Sequence, residues 1–97
     1  MSVEYHLIVN NSLRDEVFKE IKASFEDGDL YCLKHFSDSA IGFSIKGSSS
    51  DWGSDFEITK TEEDLFITIH SGNYKKILSV IENQLINNNI SFELEEE

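Results

Sequence analysis

Three histidines are the side chains in this sequence best suited to bind a metal ion: His6, His35 and His70. Imidazole nitrogens are common ligands of zinc and iron, and histidines from separate strands could converge with a carboxylate to form an enzyme site. No two of them have the short spacing of a metal-binding pair such as H-x-x-x-H. We therefore predict that the chain binds no metal and no other cofactor.

A second possible chemistry is nucleophilic attack by Cys32 with His35 as its base. Both residues fall in a predicted strand, where an offset of three places side chains on opposite faces. Asp51 and Asp55 could act as an acid and a base, but nothing near them in the sequence would raise the pKa of one carboxyl. The glycines form no phosphate-binding loop of the G-x-G-x-x-G type. We predict a small buried thiol at Cys32 and a protein that is not an enzyme.

The elements that must position these side chains follow from the spacing of the apolar residues. Alternation predicts a first strand over residues 3–9, and helical spacing predicts a helix over about 13–26. We expect Ser12 and Asp15 to cap the start of this helix, and Asp27-Gly28 to end it.

The middle of the chain predicts two hairpins, which are followed by a helix and a last strand. The first hairpin covers residues 30–46 and has one solvent-exposed side, and the second covers 56–69. Between them lies a loop rich in serine and glycine. A second helix opens at Ser71-Gly72-Asn73, and a strand over residues 90–94 follows it.

The resulting order, βαββββαβ, predicts an α+β fold with two helices on one face of a mainly antiparallel sheet. It resembles the ferredoxin-like split βαββαβ arrangement with one additional hairpin, or a related two-layer sandwich. The 97 residues are too few for two domains, so we predict a single domain over residues 1–97. The acidic residues 95–97 are expected to fray into solvent.

Charge restricts the possible partners. Nineteen acidic and eight basic residues give a net charge of −11 at pH 7. This excess argues against direct binding to nucleic acid or to an anionic membrane, because both require lysine and arginine. The field is also uneven, since residues 1–47 carry eight acids against five bases and residues 48–97 carry eleven against three. The balance favours a basic macromolecular partner.

The first residues have no signal-peptide pattern, no apolar run approaches membrane-spanning length, and Cys32 is the only cysteine. A single thiol cannot form an internal disulfide, which suits a reducing compartment. We expect a cytoplasmic protein.

Acidic residues gather around the single tryptophan, which no periodic apolar face includes. An aromatic side chain surrounded by carboxylates is a plausible anchor for a cationic partner. The alternative is that Trp52 caps the core and that the acids form a solvated face. The predicted partner-binding residues are Asp51, Trp52, Asp55, Glu57, Glu62, Glu63 and Asp64.

A small acidic domain with no catalytic constellation resembles the immunity proteins of bacterial toxin systems, including those of contact-dependent growth inhibition. The resemblance is carried by the segments 51–57 and 62–64 on an α+β frame. It implies an antitoxin role, in which the chain neutralises a cognate toxin, a basic nuclease domain, by occluding its active cleft. It also implies a chain that is monomeric when free.

A different class of function stays open. The chain could be a small ferredoxin-like ligand-binding or regulatory domain. In that case we expect it to be dimeric and to use an exposed sheet face bearing Tyr31, Leu33 and His35.

Overall fold

The computed structural model describes residues 2–27, 30–46, 54–70 and 73–97. Strands and helices within these ranges follow one another in an order that confirms the predicted α+β class. The elements are β1 (Val3–Val9), a 3-10 turn (Asn11–Leu13), α1 (Arg14–Glu26), β2 (Tyr31–Phe36), β3 (Ala40–Ile45), β4 (Phe56–Lys60), β5 (Leu65–Ile69), α2 (Tyr74–Asn87) and β6 (Phe92–Glu96).

The strands form one antiparallel sheet in the order β2-β3-β4-β5-β1-β6. Two tight turns build the hairpins β2–β3 and β4–β5. The first strand of the chain lies between β5 and β6, which are separated from it by most of the sequence. As a result β2 and β6 are the two edges of the sheet that the described strands form.

One face of the sheet packs with both helices into a single apolar core. Alternate side chains of neighbouring strands meet there, as in the pairs Leu7–Leu65 and Ile58–Ile67. Both helices add a buried stripe at helical spacing. These stripes consist of Val17, Phe18, Ile21 and Phe25 on α1 and of Ile77, Leu78, Ile81 and Leu85 on α2.

The start of the first helix differs from the prediction. The side chain of Asn10 accepts hydrogen bonds from the backbone N–H of Ser12 at 3.0 Å and from its hydroxyl at 2.9 Å, and so organises a 3-10 turn before α1. Leu13 occupies the N-cap position of α1 without a side-chain cap, so the predicted Ser12 and Asp15 cap was wrong. Asp15 is instead 3.1 Å from the ammonium of Lys60.

The predicted fraying of residues 95–97 was also wrong. Glu95 and Glu96 belong to β6 and pair with His6 and Tyr5 of β1. The backbone N–H of Glu97 continues this pairing by donating to the carbonyl of Glu4 at 2.9 Å. Without these hydrogen bonds β1 would be an edge strand with unpaired backbone groups. The backbone pairing therefore outweighs the repulsion between the carboxylates that β6 brings to this end of the sheet.

A β-bulge changes the first hairpin. The register of β2 shifts between Leu33 and His35, so His35 pairs with Gly42 and lies on the opposite face from Leu33. The predicted shared face of Tyr31, Leu33 and His35 was therefore wrong. The bulge also places Cys32 and His35 on one face, although no hydrogen bond joins these two described side chains.

The predicted solvent-exposed side of β3 was wrong as well. Gly42 and Ser44 are buried, and the ring of His35 lies directly over Gly42. A Cβ atom added at Gly42 would be 2.5 Å from Cε1 of that ring and 3.2 Å from Cβ of Ser54. This half of the outer sheet face is thus covered by side chains of the chain itself.

Candidate binding surface

The other half of the same sheet face carries most of the acidic side chains of the strands. The helices lie against the opposite face, and residues of alternate parity on β1, β4, β5 and β6 point away from them. We call this half the open acidic face. It consists of Glu4, His6, Ile8, Glu57, Thr59, Phe66, Thr68, Glu93 and Glu95.

Strand register sets the spacing within the open acidic face. One row across the strands runs Glu95, His6, Phe66 and Thr59. The next row runs Glu4, Thr68 and Glu57. Neighbours within a row lie about 4.8 Å apart at the backbone, so the carboxylates surround Phe66 and the threonines at distances that one partner surface can span.

No lysine or arginine from the four strands of this face points toward it. Their sequences contain one lysine and no arginine, and this residue, Lys60, lies on the helix side of the sheet. Its ammonium is 3.1 Å from Asp15 and 5.0 Å from the centre of the Phe18 ring. The carboxylates of the open acidic face are therefore not neutralised by a lysine or arginine of these strands, and the field above them is negative.

His6 is the one side chain of this face that can become cationic. Its Nε2 hydrogen-bonds Oδ1 of Asp64, and its Nδ1 is 3.4 Å from Oε1 of Glu97. The hydrogen bond with Asp64 raises the pKa of His6 above its ordinary value. Partial burial opposes this shift, and the charges of Asp64, Glu97 and Glu95 add to it.

An aromatic ring lies at the centre of the face. Phe66 is half-buried and meets the imidazole of His6 edge-on, with ring centroids 6.3 Å apart. Phe66 is an apolar residue that points outward from β5. The residues of β5 that point into the core are Leu65, Ile67 and Ile69. A partly exposed aromatic side chain among carboxylates has the composition of a binding anchor.

Two of the predicted partner-binding acids are buried, which corrects their expected place on an exposed surface. Asp55 is 0% exposed, and its Oδ2 accepts a hydrogen bond from the backbone N–H of Ile45 at 2.6 Å. Asp64 is buried between His6 and Thr61, whose hydroxyl donates to Oδ1 at 3.0 Å. Both carboxylates serve the hydrogen bonding of the fold, because a buried carboxylate needs donors close by.

The other predicted acids are accessible. Glu57 lies on the open acidic face and accepts a hydrogen bond from the hydroxyl of Ser54 at 2.9 Å. Glu62 and Glu63 are exposed at the β4–β5 turn. Arg14 secures that turn by donating to the carbonyls of Thr61 at 2.6 Å and of Glu62 at 2.8 Å.

The remaining two predicted residues, Asp51 and Trp52, lie outside the described residues. The role of Trp52 as an anchor or as a cap of the core therefore stays a prediction.

Sequence reasoning missed the other acidic members of this surface, Glu4, Glu93 and Glu95, and its aromatic member Phe66. The sequence signal that could have found them is the alternation of inward and outward side chains, because each of these residues points outward from its strand. Bringing them together required the pairing of β1 with both β5 and β6, which joins residues at least 58 positions apart in the sequence.

The three histidines do not converge. The ring of His35 covers Gly42, and Nδ1 of His70 is 3.0 Å from the hydroxyl of Ser2. Within residues 2–27, 30–46, 54–70 and 73–97, no group of three histidine, cysteine or acidic side chains is arranged to hold a metal ion.

Comparisons with protein-family models, with curated proteins and with solved structures gave no match for the chain. In the described part of the chain, neither helix is long and apolar enough to cross a membrane.

Proposed function

We propose that this chain is an immunity protein of a bacterial toxin system, which binds a basic toxin domain of the nuclease class and occludes its active cleft. The observation that carries the proposal is the open acidic face, where Glu4, Glu57 and Glu95 surround Phe66 without a lysine or arginine from the same strands. The net charge of −11 extends the same field over the molecule.

The physical basis is competition with nucleic acid. A nuclease holds its substrate through lysine and arginine contacts to phosphates. A rigid sheet that presents carboxylates at strand spacing can occupy those contacts, and its field accelerates encounter with the basic cleft. Phe66 supplies the desolvated contact that slows dissociation.

Inhibition by occlusion needs no turnover and no cofactor on the side of the inhibitor. A chain of this kind acts in the cytoplasm, where the toxin meets its substrate. The exposed Glu62 and Glu63 at the β4–β5 turn extend the acidic rim beyond the sheet.

The fold that presents this face is proposed to be ferredoxin-like with one added hairpin. In support, β4, β5, β1 and β6 lie side by side with α2 connecting β5 to β6 across β1. The hairpin β2–β3 would then be the addition, attached beyond β4 at one edge of the sheet.

The test begins with toxicity. Reading frames beside the gene are expressed one at a time to find a basic domain that arrests growth alone and is tolerated with this chain. Association of the two purified proteins is then measured at increasing salt, and we expect the rate to fall steeply because surface charges are screened over about 8–10 Å.

Two double variants distinguish the face from the net charge. Glu4→Gln with Glu95→Gln removes two charges from the open acidic face, whereas Glu16→Gln with Glu82→Gln removes two from the helices. We expect the first pair to slow association by about tenfold and the second to change it little. Equal effects of the two pairs, or the absence of any neighbouring toxic domain that the chain neutralises, would refute the proposal.

A further inference from the structure

His6 connects two segments that are far apart in the sequence. Its Nε2 bonds Asp64 at the β4–β5 turn, and its Nδ1 faces Glu97, which directly follows β6. A neutral imidazole carries one N–H and can donate to only one of these carboxylates. The ring can therefore donate to both carboxylates at once only when it is protonated.

All the charged groups that face His6 favour its protonated form. Asp64 approaches from the β4–β5 turn, Glu95 and Glu97 from β6 and its end, and Glu4 lies two residues away on β1 itself. The neighbour on β5 is the uncharged ring of Phe66.

Both carboxylate-bearing segments have a second contact that depends on their position. The backbone N–H of Asp64 donates to the hydroxyl of Thr61 at 3.0 Å, and that hydroxyl donates to Oδ1 of Asp64. The backbone N–H of Glu97 donates to the carbonyl of Glu4 at 2.9 Å. The Asp64 carboxylate therefore also takes part in the hydrogen bonding of the turn, and the Glu97 carboxylate extends from the backbone that ends the sheet.

We propose that His6 is a pH-sensitive latch, which when protonated holds the β4–β5 turn and the end of β6 against β1, and which releases the end of β6 when it loses its proton and donates to Asp64 alone. Release also changes the open acidic face, because Asp64 and Glu97 lose their one cationic neighbour at this point. The latch belongs to the free chain and does not depend on the proposed function.

The sign of the pH dependence follows from the direction of the shift. The pKa of His6 is raised in the folded chain, so the stabilisation is fully present below the ordinary histidine pKa of about 6.5. It is lost as the pH rises through the raised folded-state pKa. The latch therefore closes on the acidic side and opens on the alkaline side of this window.

The test uses the free, full chain and protons as the probe. Ring resonances of His6 are titrated by NMR, and hydrogen-exchange protection factors of the Asp64 and Glu97 amides are measured between about pH 5.5 and pH 8.5, on either side of the ordinary histidine pKa. We expect a His6 pKa above the ordinary value. Protection of the Glu97 amide should fall several-fold, with its midpoint at that pKa. Protection of the Asp64 amide should change less, because the neutral ring still donates to the Asp64 carboxylate.

Three variants assign the effect. His6→Gln keeps a side chain of similar length that cannot be charged, so protection should stay at the low, alkaline level throughout. His70→Gln is the matched control and should retain the transition. Glu97→Gln alters an exposed position that leaves the core intact, and it should lower the His6 pKa by removing one of the two carboxylates.

The proposal is overturned by a His6 pKa at or below the ordinary value, by a transition that persists unchanged in His6→Gln, or by a Glu97→Gln variant with an unaltered His6 pKa. Loss of toxin neutralisation is not a readout here, so failure of the latch and failure of the proposed function are separate results.

Discussion

The two edges of the sheet are kept from pairing with further strands in different ways. The β6 edge is acidic, because Glu93, Glu95 and Glu96 occupy three of its five positions. A strand from another copy of this chain would bring its own negative charge against them. Charge on an edge strand is a known protection against strand addition.

The β2 edge carries no carboxylate and is more apolar. Leu33 is 40% exposed and Phe36 is 55% exposed. Lys22 places its ammonium 4.6 Å from the ring centre of Phe36, which shields part of that ring. The bulge at His35 interrupts the regular backbone ladder that an incoming strand would need.

The difference shows that one sheet can combine two kinds of protection. Carboxylates on β6 also contribute to the open acidic face, so that edge protection and the proposed partner binding use the same side chains. At β2 the protection is a backbone irregularity, which leaves apolar side chains exposed.

The largest expected difference between the two edges is in the free energy of unfolding that is lost when a side chain packed beneath each edge is removed. Phe25 is fully buried and contacts Tyr31 of β2 and Phe56 at centroid distances of 5.0 and 4.8 Å. Phe25→Ala should cost about 3–5 kcal/mol of unfolding free energy in urea denaturation. Leu94→Ala on β6, which removes a half-buried side chain, should cost about 1 kcal/mol. Equal costs would contradict an aromatic anchor that is specific to the β2 side.

A smaller effect distinguishes the covered half of the outer face from the open half. Gly42→Val should destabilise the chain by about 1–3 kcal/mol, because the new side chain must displace the ring of His35. Thr68→Val, on the open acidic face, should change stability by less than about 0.5 kcal/mol. In a His35→Ala background the cost of Gly42→Val should fall. An unchanged cost there would mean that another contact crowds Gly42.

The smallest expected effects on stability come from substitutions at the edges themselves, which should instead change self-association of the chain. Leu33→Lys on β2 should alter unfolding free energy by less than about 0.5 kcal/mol while reducing self-association at high concentration. Glu95→Leu on β6 should increase self-association. Sedimentation velocity over a range of concentrations measures both. The comparison of the edges fails if neither variant changes the sedimentation.

Much of the fold could be predicted because it depends on local periodicity. The alternation around Leu7 and Val9 predicts β1, and the spacing of Ile77, Ile81 and Leu85 predicts α2, since both patterns are properties of consecutive residues. The start of α1 failed because Asn10 and Ser12 are both good cap residues, and local sequence does not rank them.

The acidic site could be predicted only in part. Glu57, Glu62 and Glu63 are accessible as expected, but Asp55 lies buried under the backbone N–H of Ile45. A carboxylate in a turn sequence looks solvated whether or not a strand supplies it with a donor. Burial is decided by contacts between segments, which no local pattern contains.

The element types, the inward-facing and outward-facing residues of each strand, and the net negative charge follow from the amino-acid sequence, because each is set by composition or by neighbouring residues. Which of the outward-facing residues share one surface depends on how the strands pair in the folded chain. Pairing of β1 with β5 and β6 joins Glu4, Phe66 and Glu95, and the bulge between Leu33 and His35 places the His35 ring over Gly42. These arrangements depend on strand register over long sequence separations, where the balance of backbone pairing, burial and charge is settled only once the whole sheet has formed.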